Sequence, residues 1–494
     1  MFKDATTEEI DKTMEDAWKA FHQYRRMPLK QRADFMRAIA AELQDESESL
    51  VQTAAEETNL PVERLKGELA RTIFQLNQYG AASESGEWLE ARIDTALPHR
   101  TPPKPDIRKM LIPLGPVVVY GASNFPFAYS TAGGDTACAF AAGCPVIVKA
   151  HPAHARTSQM VADAILKAVD KNNMPAGVFA HLHGVAIEVG KTLVQHQHTR
   201  AVGFTGSLSG GKQLFDWGNQ RQDPIPVFAE MGSINPVFLL PEKLRQSATG
   251  IAKIYAGSIT LGVGQFCTNP GLIIGIEGDD LHKFIATLGK EIEQAVPGKM
   301  LHPGIAKAFD EKKSKALQQS DVTTVAVSST AKKENEGTPT LAAATGAAFL
   351  GNPVLHQEVF GPYSLIIGCK DMPEMIQVAR QLEGQLTATL MATHADVSAN
   401  NELTEAVKNI CGRFILNSVP TGVEVCLSMQ HGGPFPATTD SRFTSVGADG
   451  IKRFARPFAF QNWDNEFLPD ELKNENPSGI WRTVNNKLTR EAVS

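Results

Sequence analysis

The sequence predicts an α/β protein with two doubly wound domains, and three observations lead to this fold class. The chain has 494 residues, whereas a single hydrophobic core stops growing at about 250–300 residues. Its 42% hydrophobic and 21% charged residues are the proportions of an ordinary globular protein. From about residue 112 onward, short β-branched runs alternate with helical patterns, which is typical of parallel sheets covered by helices.

The chain up to about Leu89 is predicted to be helical. Thr6 and Glu9 have the spacing of a capping box, which marks the start of a helix. Apolar residues then recur at helical intervals, at Ile10, Met14, Trp18 and Phe21. Pro28 interrupts this pattern, and a second amphipathic run follows at 35–43. We therefore expect a helical lead-in before the first sheet.

Two regions of alternating strands and helices follow the lead-in. In the first, strands are predicted at 116–122, 145–149 and 201–204, and helices at 131–142 and 157–169. Because a strand–helix–strand unit connects parallel strands, this region predicts one doubly wound domain. The second region, from about 234 to 427, predicts another. An extended segment at 451–463 is expected to pack on a neighbouring region or subunit.

The charge pattern and the apolar segments exclude several classes of function. The 48 Lys and Arg against 54 Asp and Glu give a net charge of −6, without a basic run that could follow a nucleic-acid backbone. No apolar run reaches the roughly 18 residues of a membrane span, and the polar N-terminus does not resemble a signal peptide. We therefore expect a cytoplasmic protein without nucleic-acid or membrane partners.

The cysteines are sparse and lack the Cys-x-x-Cys spacing, so a disulfide framework is not expected. They are Cys138, Cys144, Cys267, Cys369, Cys411 and Cys426. Cys267 differs from the others because small and polar residues surround it in a predicted turn at 264–269. A nucleophilic thiol and a partly buried spectator thiol are both compatible with this segment.

Two further polar side chains follow strand-like runs. Glu230 ends an apolar run, where burial would raise its pKa and suit a general base. An ordinary solvated strand end is the alternative. Asn124 lies in a predicted turn before Pro126, where its amide could stabilise an oxyanion. An ordinary turn asparagine is the alternative there.

A segment rich in glycine and serine, residues 204–211, follows a short strand and opens a helix. Backbone N–H groups at such a helix start can bind a phosphate, which makes Gly206, Ser207 and Gly211 candidates for that contact. A serine hydrolase with Ser209 as its nucleophile is the alternative from a different class of function.

Two other patterns concern ligands. Glu358 and Phe360 are two residues apart, so on a strand they would face the same side and could contact a ribose hydroxyl and a flat ring. Three histidine pairs suggest a metal site: His151 with His154, His181 with His183, and His196 with His198. None of these pairs is joined by a fitting carboxylate or cysteine, so we expect no metal.

Taken in chain order, these segments resemble the aldehyde dehydrogenase superfamily over nearly the whole chain. The matching segments are Asn124-Phe125-Pro126, Lys149, Gly206-Ser207, Glu230-Met231-Gly232, Gln265-Phe266-Cys267 and Glu358-Val359-Phe360-Gly361-Pro362. The resemblance implies that Cys267 is the nucleophile, that Glu230 activates the hydrolytic water and that Asn124 donates to the oxyanion. It also implies a thiohemiacetal, hydride transfer to a nicotinamide cofactor and hydrolysis of a thioester.

The resemblance implies the cofactor contacts as well. The predicted cofactor-binding residues are Lys149, His151, Gly206, Ser207, Gly211, Glu358 and Phe360, with Gly206 and Ser207 at the pyrophosphate. Lys149 and Glu358 would bind the two ribose units, and Phe360 would lie near the nicotinamide. Many NAD-preferring members carry a glutamate after this lysine, where the chain has Ala150-His151-Pro152. Without that carboxylate a 2′-phosphate is not repelled, so NADP is expected and NAD is the alternative.

The chain departs from the usual family pattern at two more places. Ser233 follows the Glu-Met-Gly segment where a glycine is usual, which leaves the assignment of the base unchanged. The segment 430–440 replaces a glycine-rich segment of the family. Its His431 is expected to lie near Cys267 and to assist it, with a structural, hydrogen-bonded histidine as the alternative.

Segments at 130–136, 430–440 and 441–445 are similar to the branch of the family that oxidises α-ketoglutaric semialdehyde (2,5-dioxopentanoate), so this aldehyde is the expected substrate. NADP-linked fatty aldehyde dehydrogenases are similar there too, and a long-chain aldehyde is the alternative. Arg156 or Arg442 could bind the substrate carboxylate, although a surface ion pair is the more ordinary role for either. Acyl transfer to coenzyme A is a further rival, against which Glu230 at the water-activating position argues for hydrolysis.

The resemblance also implies a division of the chain into three parts. Residues 1–229 would form the helical lead-in and the cofactor-binding domain, and residues 230–430 the catalytic domain with the nucleophilic cysteine. Residues 431–494 would complete the site and form oligomer contacts. A homodimer or homotetramer is expected.

Overall fold

The computed structural model describes residues 2–493, and its N-terminal part is helical. The helices are α1 (Thr7–Tyr24), α2 (Leu29–Asp45), α3 (Ser47–Thr58) and α4 (Val62–Ser85). Thr6 caps α1 as the sequence predicts, because its hydroxyl accepts from the N–H of Glu9 at 3.2 Å and the Glu9 carboxylate accepts from the N–H of Thr6 at 2.8 Å. Pro28 stands directly before α2. The predicted helical segments are confirmed.

The first main sheet follows two strands that belong elsewhere, β1 (Arg92–Asp94) and β2 (Ile107–Pro113). Its strands are β3 (Val117–Tyr120), β4 (Val146–Lys149), β5 (Phe179–Leu182), β6 (Ala201–Thr205) and β7 (Val227–Glu230). The helices between them are α5 (Gly134–Ala142), α6 (Ala155–Lys171), α7 (Ile187–Gln195) and α8 (Leu208–Asn219). The strand order is β5-β4-β3-β6-β7, and all pairs are parallel. The order reverses between β3 and β6, where a doubly wound sheet opens a crevice for ligands.

A second sheet has the order β11-β13-β14-β9-β8-β15-β16 and is parallel except where β11 pairs with β13. The strands of this region are β8 (Val237–Leu239), β9 (Leu272–Ile276), β10 (Gly298–Lys299), β11 (Val322–Val327), β12 (Glu336–Gly337), β13 (Thr340–Thr345), β14 (Tyr363–Cys369), β15 (Gln385–Met391) and β16 (Cys411–Leu416). The helices are α9 (Pro241–Thr260), α10 (Asp279–Gln294), α11 (Pro303–Leu317), α12 (Gly346–Gly351), α13 (Met372–Gln381), α14 (His394–Ala399) and α15 (Asn401–Lys408). The predicted α/β class with parallel sheets is confirmed.

A third sheet joins the C-terminal part of the chain to the region before the first sheet. Its strands β17 (Ala455–Gln461), β18 (Arg482–Val484) and β19 (Lys487–Thr489) combine with β1 and β2 in the order β17-β2-β1-β18-β19. The extended segment predicted at 451–463 is thus strand only from Ala455, since 448–454 forms a 3-10 helix. Its partner is β2 of the same chain.

The core follows from the burial of parallel strands on both faces. Every residue of β3, β14 and β15 is buried. One core joins the N-terminal helices to the first sheet, and two others cover the faces of the second sheet. The last strand of the first sheet, β7, ends at Glu230, and the first strand of the second sheet, β8, starts at Val237. The division of the chain into three parts at 229 and 430 stays a prediction. Among residues 2–493, no helix combines the length and the apolar character needed to cross a membrane.

Candidate active site

A cavity of about 380 Å³ lies at the carboxyl ends of the first sheet and extends to the segments that carry Cys267 and Glu358. Most of the predicted site residues line it, namely Asn124, His151, Gly206, Ser207, Glu230, Cys267, Glu358 and Phe360. Residues from both main sheets meet here, so the cavity depends on how the two halves of the chain pack. Such a concave site with convergent polar groups is the usual form of an active site.

A tight turn after α9 brings Cys267 into the cavity. The backbone takes left-handed conformations from 262 to 264, and a Cβ on Gly264 would lie 2.3 Å from the carbonyl carbon of Gly361. Asn235 holds the turn from the other side, because its Nδ2 donates to the carbonyls of Cys267 at 2.8 Å and Asn269 at 2.9 Å. The cysteine loop is therefore fixed by a side chain that follows β7 in the chain.

The thiol lies beside a buried histidine and a buried carboxylate. Sγ of Cys267 is 3.7 Å from Nε2 of His431, and the same nitrogen is 3.1 Å from Oε1 of Glu230. Ser445 donates to Oε2 of Glu230 at 2.5 Å. The side chains of His431 and Glu230 are 0% and 3% exposed. The fold thus brings His431 to Cys267, where the sequence suggested it, and forms a cysteine–histidine–glutamate cluster.

The structure reverses the predicted pKa of Glu230. Burial raises this pKa, but the adjacent His431 ring and hydrogen bonds from His431, Ser445 and Cys267 outweigh burial, and the pKa lies below its usual value. The pKa of Cys267 is raised well above its usual value by burial, and further by the negative charges of Glu230 and Glu358. The resting thiol is therefore protonated near neutral pH, and it needs a proton acceptor in order to attack.

Asn124 is fixed in the turn after β3 and lines the same cavity. It is 9% exposed, and its Nδ2 donates to the carbonyl of Gln265 at 3.2 Å. Arg64 donates to the backbone carbonyl of Asn124 at 2.8 Å. A side-chain amide has two N–H donors, so one of them remains for an oxygen in the cavity.

The predicted phosphate contact lies at the start of α8. Ser207 is the N-cap residue, and its hydroxyl accepts from the N–H of Gly210 at 3.2 Å. Gly206 and Ser207 line the cavity, whereas Gly211 lies inside the helix. A Cβ on Gly211 would be 2.6 Å from Cγ of Met231, so this glycine lets α8 approach the residue after β7. Lys149 ends β4, is half-buried with a pKa lowered by burial, and lies outside the cavity lining.

Glu358 and Phe360 both line the cavity, but the strand geometry predicted for them is wrong. They lie in an irregular segment before β14, because the strand starts only at Tyr363. Burial raises the pKa of Glu358 to about 7, against the opposing effects of Lys312 and of the backbone N–H of Ser233. A half-buried carboxyl whose strongest protein contact is a 3.4 Å hydrogen bond fits a hydroxyl-bearing ligand such as a ribose.

His151 lines the cavity as an uncharged ring. Its Nδ1 accepts from the N–H of Ala153 at 3.2 Å, and burial, then His154, Lys149 and His302, hold its pKa well below the usual value. The histidine pairs considered for a metal do not form a ligand cluster among residues 2–493. The donor atoms of Glu230, Cys267 and His431, by contrast, all lie within 4.8 Å of one another. The expectation that the protein uses no metal stays a prediction.

Three predicted side chains lie away from the cavity. Arg156 pairs with Glu56 at 2.9 Å, and Arg442 pairs with Asp440 at 2.5 Å while remaining 80% exposed. Ser209 lies in the first turn of α8, 3.2 Å from the Ser207 hydroxyl. Ser207 also occupies the position two residues earlier, which is glycine in a nucleophile elbow, so the serine hydrolase alternative lacks its motif.

Other residues of the site were not predicted. Ser445 belongs to a segment that carries the family resemblance, so its position gave a signal, but its contact with Glu230 spans 215 positions of the chain. Asn235 follows the Glu-Met-Gly segment directly and has a positive φ of 46°, a conformation that asparagine tolerates better than most residues. Neither contact can be inferred from local periodicity.

Comparisons with known proteins agree with this geometry. A family described as "Aldehyde dehydrogenase family" matches residues 1–434. The chain is 46% identical over 488 residues to alpha-ketoglutaric semialdehyde dehydrogenase 2 of Azospirillum brasilense, covering 99% of this chain and 93% of that protein. It is 43% identical over 492 residues to alpha-ketoglutaric semialdehyde dehydrogenase of Acinetobacter baylyi, with the same coverage of 99% and 93%.

Solved structures share the fold at lower identity. A 1-pyrroline-5-carboxylate dehydrogenase has a TM-score of 0.79 at 21% identity, covering 93% of this chain and 86% of that one. A glyceraldehyde-3-phosphate dehydrogenase from Methanocaldococcus jannaschii, complexed with NADP, has a TM-score of 0.77 at 19% identity, covering 93% and 95%. At these identities the likeness concerns the fold alone.

Proposed function

Because the chain belongs to the aldehyde dehydrogenase family, we propose that it oxidises α-ketoglutaric semialdehyde to 2-oxoglutarate, with NADP as its preferred cofactor. The two relatives above 40% identity carry the name of this activity and are covered almost completely. The observation that carries the mechanism is the position of the Cys267 thiol, on the cavity and 3.7 Å from His431, which is itself paired with Glu230.

In the proposed first step the thiol loses its proton and attacks the aldehyde carbon. The raised pKa of Cys267 makes a proton acceptor necessary, and the His431–Glu230 pair is the nearest one. Attack forms the carbon–sulfur bond and leaves the former carbonyl oxygen negatively charged. The Nδ2 of Asn124 and the backbone N–H of Cys267 would donate to this oxygen. The product of this step is a thiohemiacetal on Cys267.

The cofactor-binding residues orient the acceptor for the next step. Gly206 and Ser207 would hold the pyrophosphate at the start of α8, and Glu358 a ribose. Phe360 would lie near the nicotinamide, and Lys149 would bind the other ribose. When bound, the oxidised nicotinamide accepts a hydride from the substrate carbon, which turns the thiohemiacetal into a thioester.

The chain's preference for NADP rests on the region after β4. The uncharged His151 stands where a carboxylate would repel a 2′-phosphate, and Lys149 adds a positive charge nearby. Both features favour a phosphorylated ribose over a plain one.

Hydrolysis of the thioester is assigned to Glu230. Its lowered pKa keeps it ionised at neutral pH, Ser445 donates to its Oε2, and Nε2 of His431 lies 3.1 Å from its Oε1. After the thiol proton has passed from the pair to solvent, the carboxylate takes a proton from water and the resulting hydroxide attacks the acyl carbon. The carbon–sulfur bond then breaks to release the acid and the Cys267 thiolate, which takes the proton from Glu230. Such a base favours hydrolysis over transfer to coenzyme A.

The arrangement of the chain into functional parts belongs to the same proposal. Residues 1–229 would bind the cofactor, 230–430 carry the nucleophile, and 431–494 complete the site through His431 and Ser445. β19 is an edge strand, and an edge strand has free backbone groups that can pair with another chain, which supports a homodimer or homotetramer formed partly through the C-terminal sheet. We further propose that the enzyme acts in the cytoplasm.

The first experiment measures reduced nicotinamide by its absorbance, with purified protein, α-ketoglutaric semialdehyde and either NADP or NAD. We expect reduction that is faster with NADP and absent in Cys267→Ala. Activity on long-chain aldehydes alone would overturn the proposed substrate. Activity that persists in Cys267→Ala would overturn the proposed mechanism.

A further inference from the structure

An arginine that forms no ion pair among residues 2–493 lies against the cavity wall, in contact with a residue that lines it. Arg71 belongs to α4 and is half-buried. Its Nη2 donates to the hydroxyl of Tyr129 at 3.3 Å, and its guanidinium carbon is 5.7 Å from the centre of that ring. Tyr129 lines the same cavity as Cys267 and Asn124. The arginine is therefore one side chain away from the nucleophile.

The charge of Arg71 is not neutralised by an ion pair in the part of the chain that the structure describes. None of the ion pairs among residues 2–493 includes Arg71, and its buried Nε has no hydrogen-bond partner there. Its positive charge lowers the pKa values of Tyr129 and Cys267, and also that of buried Glu68, and it opposes the larger effect of burial on all three. A cation held this way in a poorly hydrated site favours an anionic ligand.

A second arginine of the same helix shows what a structural role looks like. Arg64 donates to the carbonyl of Asn124 at 2.8 Å, and its guanidinium carbon lies 5.2 Å from the ring centre of Phe125 and 4.7 Å from that of Phe266. Arg64 thus fixes the turn after β3 that carries Asn124. Arg71, two turns further along α4, has no comparable backbone contact among residues 2–493.

The walls near Arg71 are apolar and lead to a second cation. Phe125, Tyr129, Val425 and Val446 form a buried cluster, against which Phe266, Val423 and Met429 pack. Arg413 of β16 lies at the Met429 end, with its Nη1 4.0 Å from the sulfur. Its guanidinium already donates to the carbonyls of Pro420 at 2.7 Å and Gly422 at 2.9 Å. Arg413 therefore adds positive charge to this region while remaining tied to the backbone.

We propose that Arg71 and the Tyr129 hydroxyl bind the carboxylate of the substrate while its aldehyde group lies at Cys267. This inference rests on the proposed oxidation of a short aldehyde acid and assigns its recognition to residues different from Arg156 and Arg442. The guanidinium of Arg71 and the phenol both donate hydrogen bonds, and a carboxylate has acceptor sites for both. Arg413 strengthens the site through its field alone.

The test compares charged and uncharged substrates of similar length. We would measure kcat/KM for α-ketoglutaric semialdehyde and for pentanal in wild type, Arg71→Met, Arg71→Lys, Tyr129→Phe and the matched control Arg156→Met. Arg71→Met should lower kcat/KM for the semialdehyde by about 30- to 300-fold, the loss expected for a charge-assisted contact, and change that for pentanal by less than about threefold. Arg71→Lys should recover part of the loss, and Arg156→Met should behave as wild type. Equal losses for both aldehydes, or no loss for either, would overturn the inference.

A binding measurement separates this inference from the proposed function. Glutarate, a dicarboxylate of the same length, should protect Cys267 from iodoacetamide in wild type and fail to do so in Arg71→Met. Protection lost in Arg71→Met supports the carboxylate site even if the semialdehyde proves not to be the substrate. Rapid oxidation of the semialdehyde combined with equal protection in both proteins leaves the function intact and overturns the role of Arg71.

Discussion

Two neighbouring clusters each contain a thiol, a carboxylate and a histidine or arginine side chain, but only one of them faces the cavity. The open cluster consists of Cys267, Glu230, His431 and Ser445, and the closed cluster of Cys138, Asp135, Arg453 and Tyr79. In the closed cluster Arg453 pairs with Asp135 at 2.8 Å, with side chains 4% and 11% exposed. Cys138 is 0% exposed. Similar groups thus line the cavity in one place and lie enclosed in the core in the other.

The comparison separates burial from hydrogen bonding as causes of pKa shifts. Burial raises the pKa of both thiols, Cys138 and Cys267. It also raises the pKa of Asp135 in spite of Arg453, whereas His431 and Ser445 bring the pKa of Glu230 below its usual value. Donors aimed at the carboxylate, rather than depth of burial, therefore decide which of the two acids is a ready base.

The largest expected effect separates the two carboxylates. Glu230→Gln removes the base that activates water, so we expect steady-state turnover to fall by about 10²- to 10⁴-fold, with a burst of about one reduced cofactor per site before the slow phase. Asp135→Asn leaves Arg453 buried without its partner, which should lower the free energy of unfolding by about 3–5 kcal/mol. Stopped-flow absorbance and urea denaturation measure the two effects. If Asp135→Asn folds but its turnover is as low as that of Glu230→Gln, the two clusters do not differ in function as proposed.

A smaller effect concerns the thiols. His431→Gln removes the ring nitrogen that lies 3.7 Å from the Cys267 sulfur, so iodoacetamide should alkylate this thiol about tenfold more slowly at pH 7.5. Both rates should rise with pH, because the fraction of thiolate rises with pH. Cys138 should stay unlabelled in the native protein. Mass spectrometry of the labelled peptides gives both rates, and a pH-independent rate in His431→Gln would contradict the proposed proton acceptor.

The smallest effect concerns Glu358, at the other end of the cavity. Its pKa is raised from 4.5 to about 7, so between these values the folded state binds more protons than the unfolded state, and stability falls as the pH rises. Without cofactor, the free energy of unfolding of Glu358→Gln should therefore exceed that of wild type by about 1–3 kcal/mol at pH 8. The two values should be equal at pH 4.5. Denaturation curves at both pH values measure this. Exposed Glu8→Gln is the control, and an advantage of equal size at both pH values would rule out titration of Glu358 as the cause.

Much of the fold could be predicted because its signals are local. The capping box at Thr6, the β-branched runs of β3 and β4 and the break at Pro28 all lie where the structure has them. Helix α5 starts at Gly134 rather than at 131, because residues 126–133 form turns before the helix. Boundaries of this kind depend on packing and turn geometry as well as on periodicity.

The candidate site was predictable residue by residue only where the family resemblance named it. Asn124, Glu230, Cys267, Glu358 and Phe360 do line one cavity. Arg71 and Tyr129 had no equivalent signal, because an arginine on an amphipathic helix is indistinguishable from an ordinary surface residue until the helix is packed.

By itself the sequence determined the helical start, the two alternating α/β regions and the residue types needed for thioester chemistry, because these depend on periodicity and on side-chain identity. Only the tertiary structure decided that Cys267 meets His431, 164 positions later in the chain, and that Glu230 has a lowered pKa. It also decided that Arg71 contacts Tyr129 on the cavity and forms no ion pair among residues 2–493, while Arg156 and Arg442 are neutralised at the surface. The physical reason is that pKa values and charge compensation depend on distances between side chains that lie far apart in sequence.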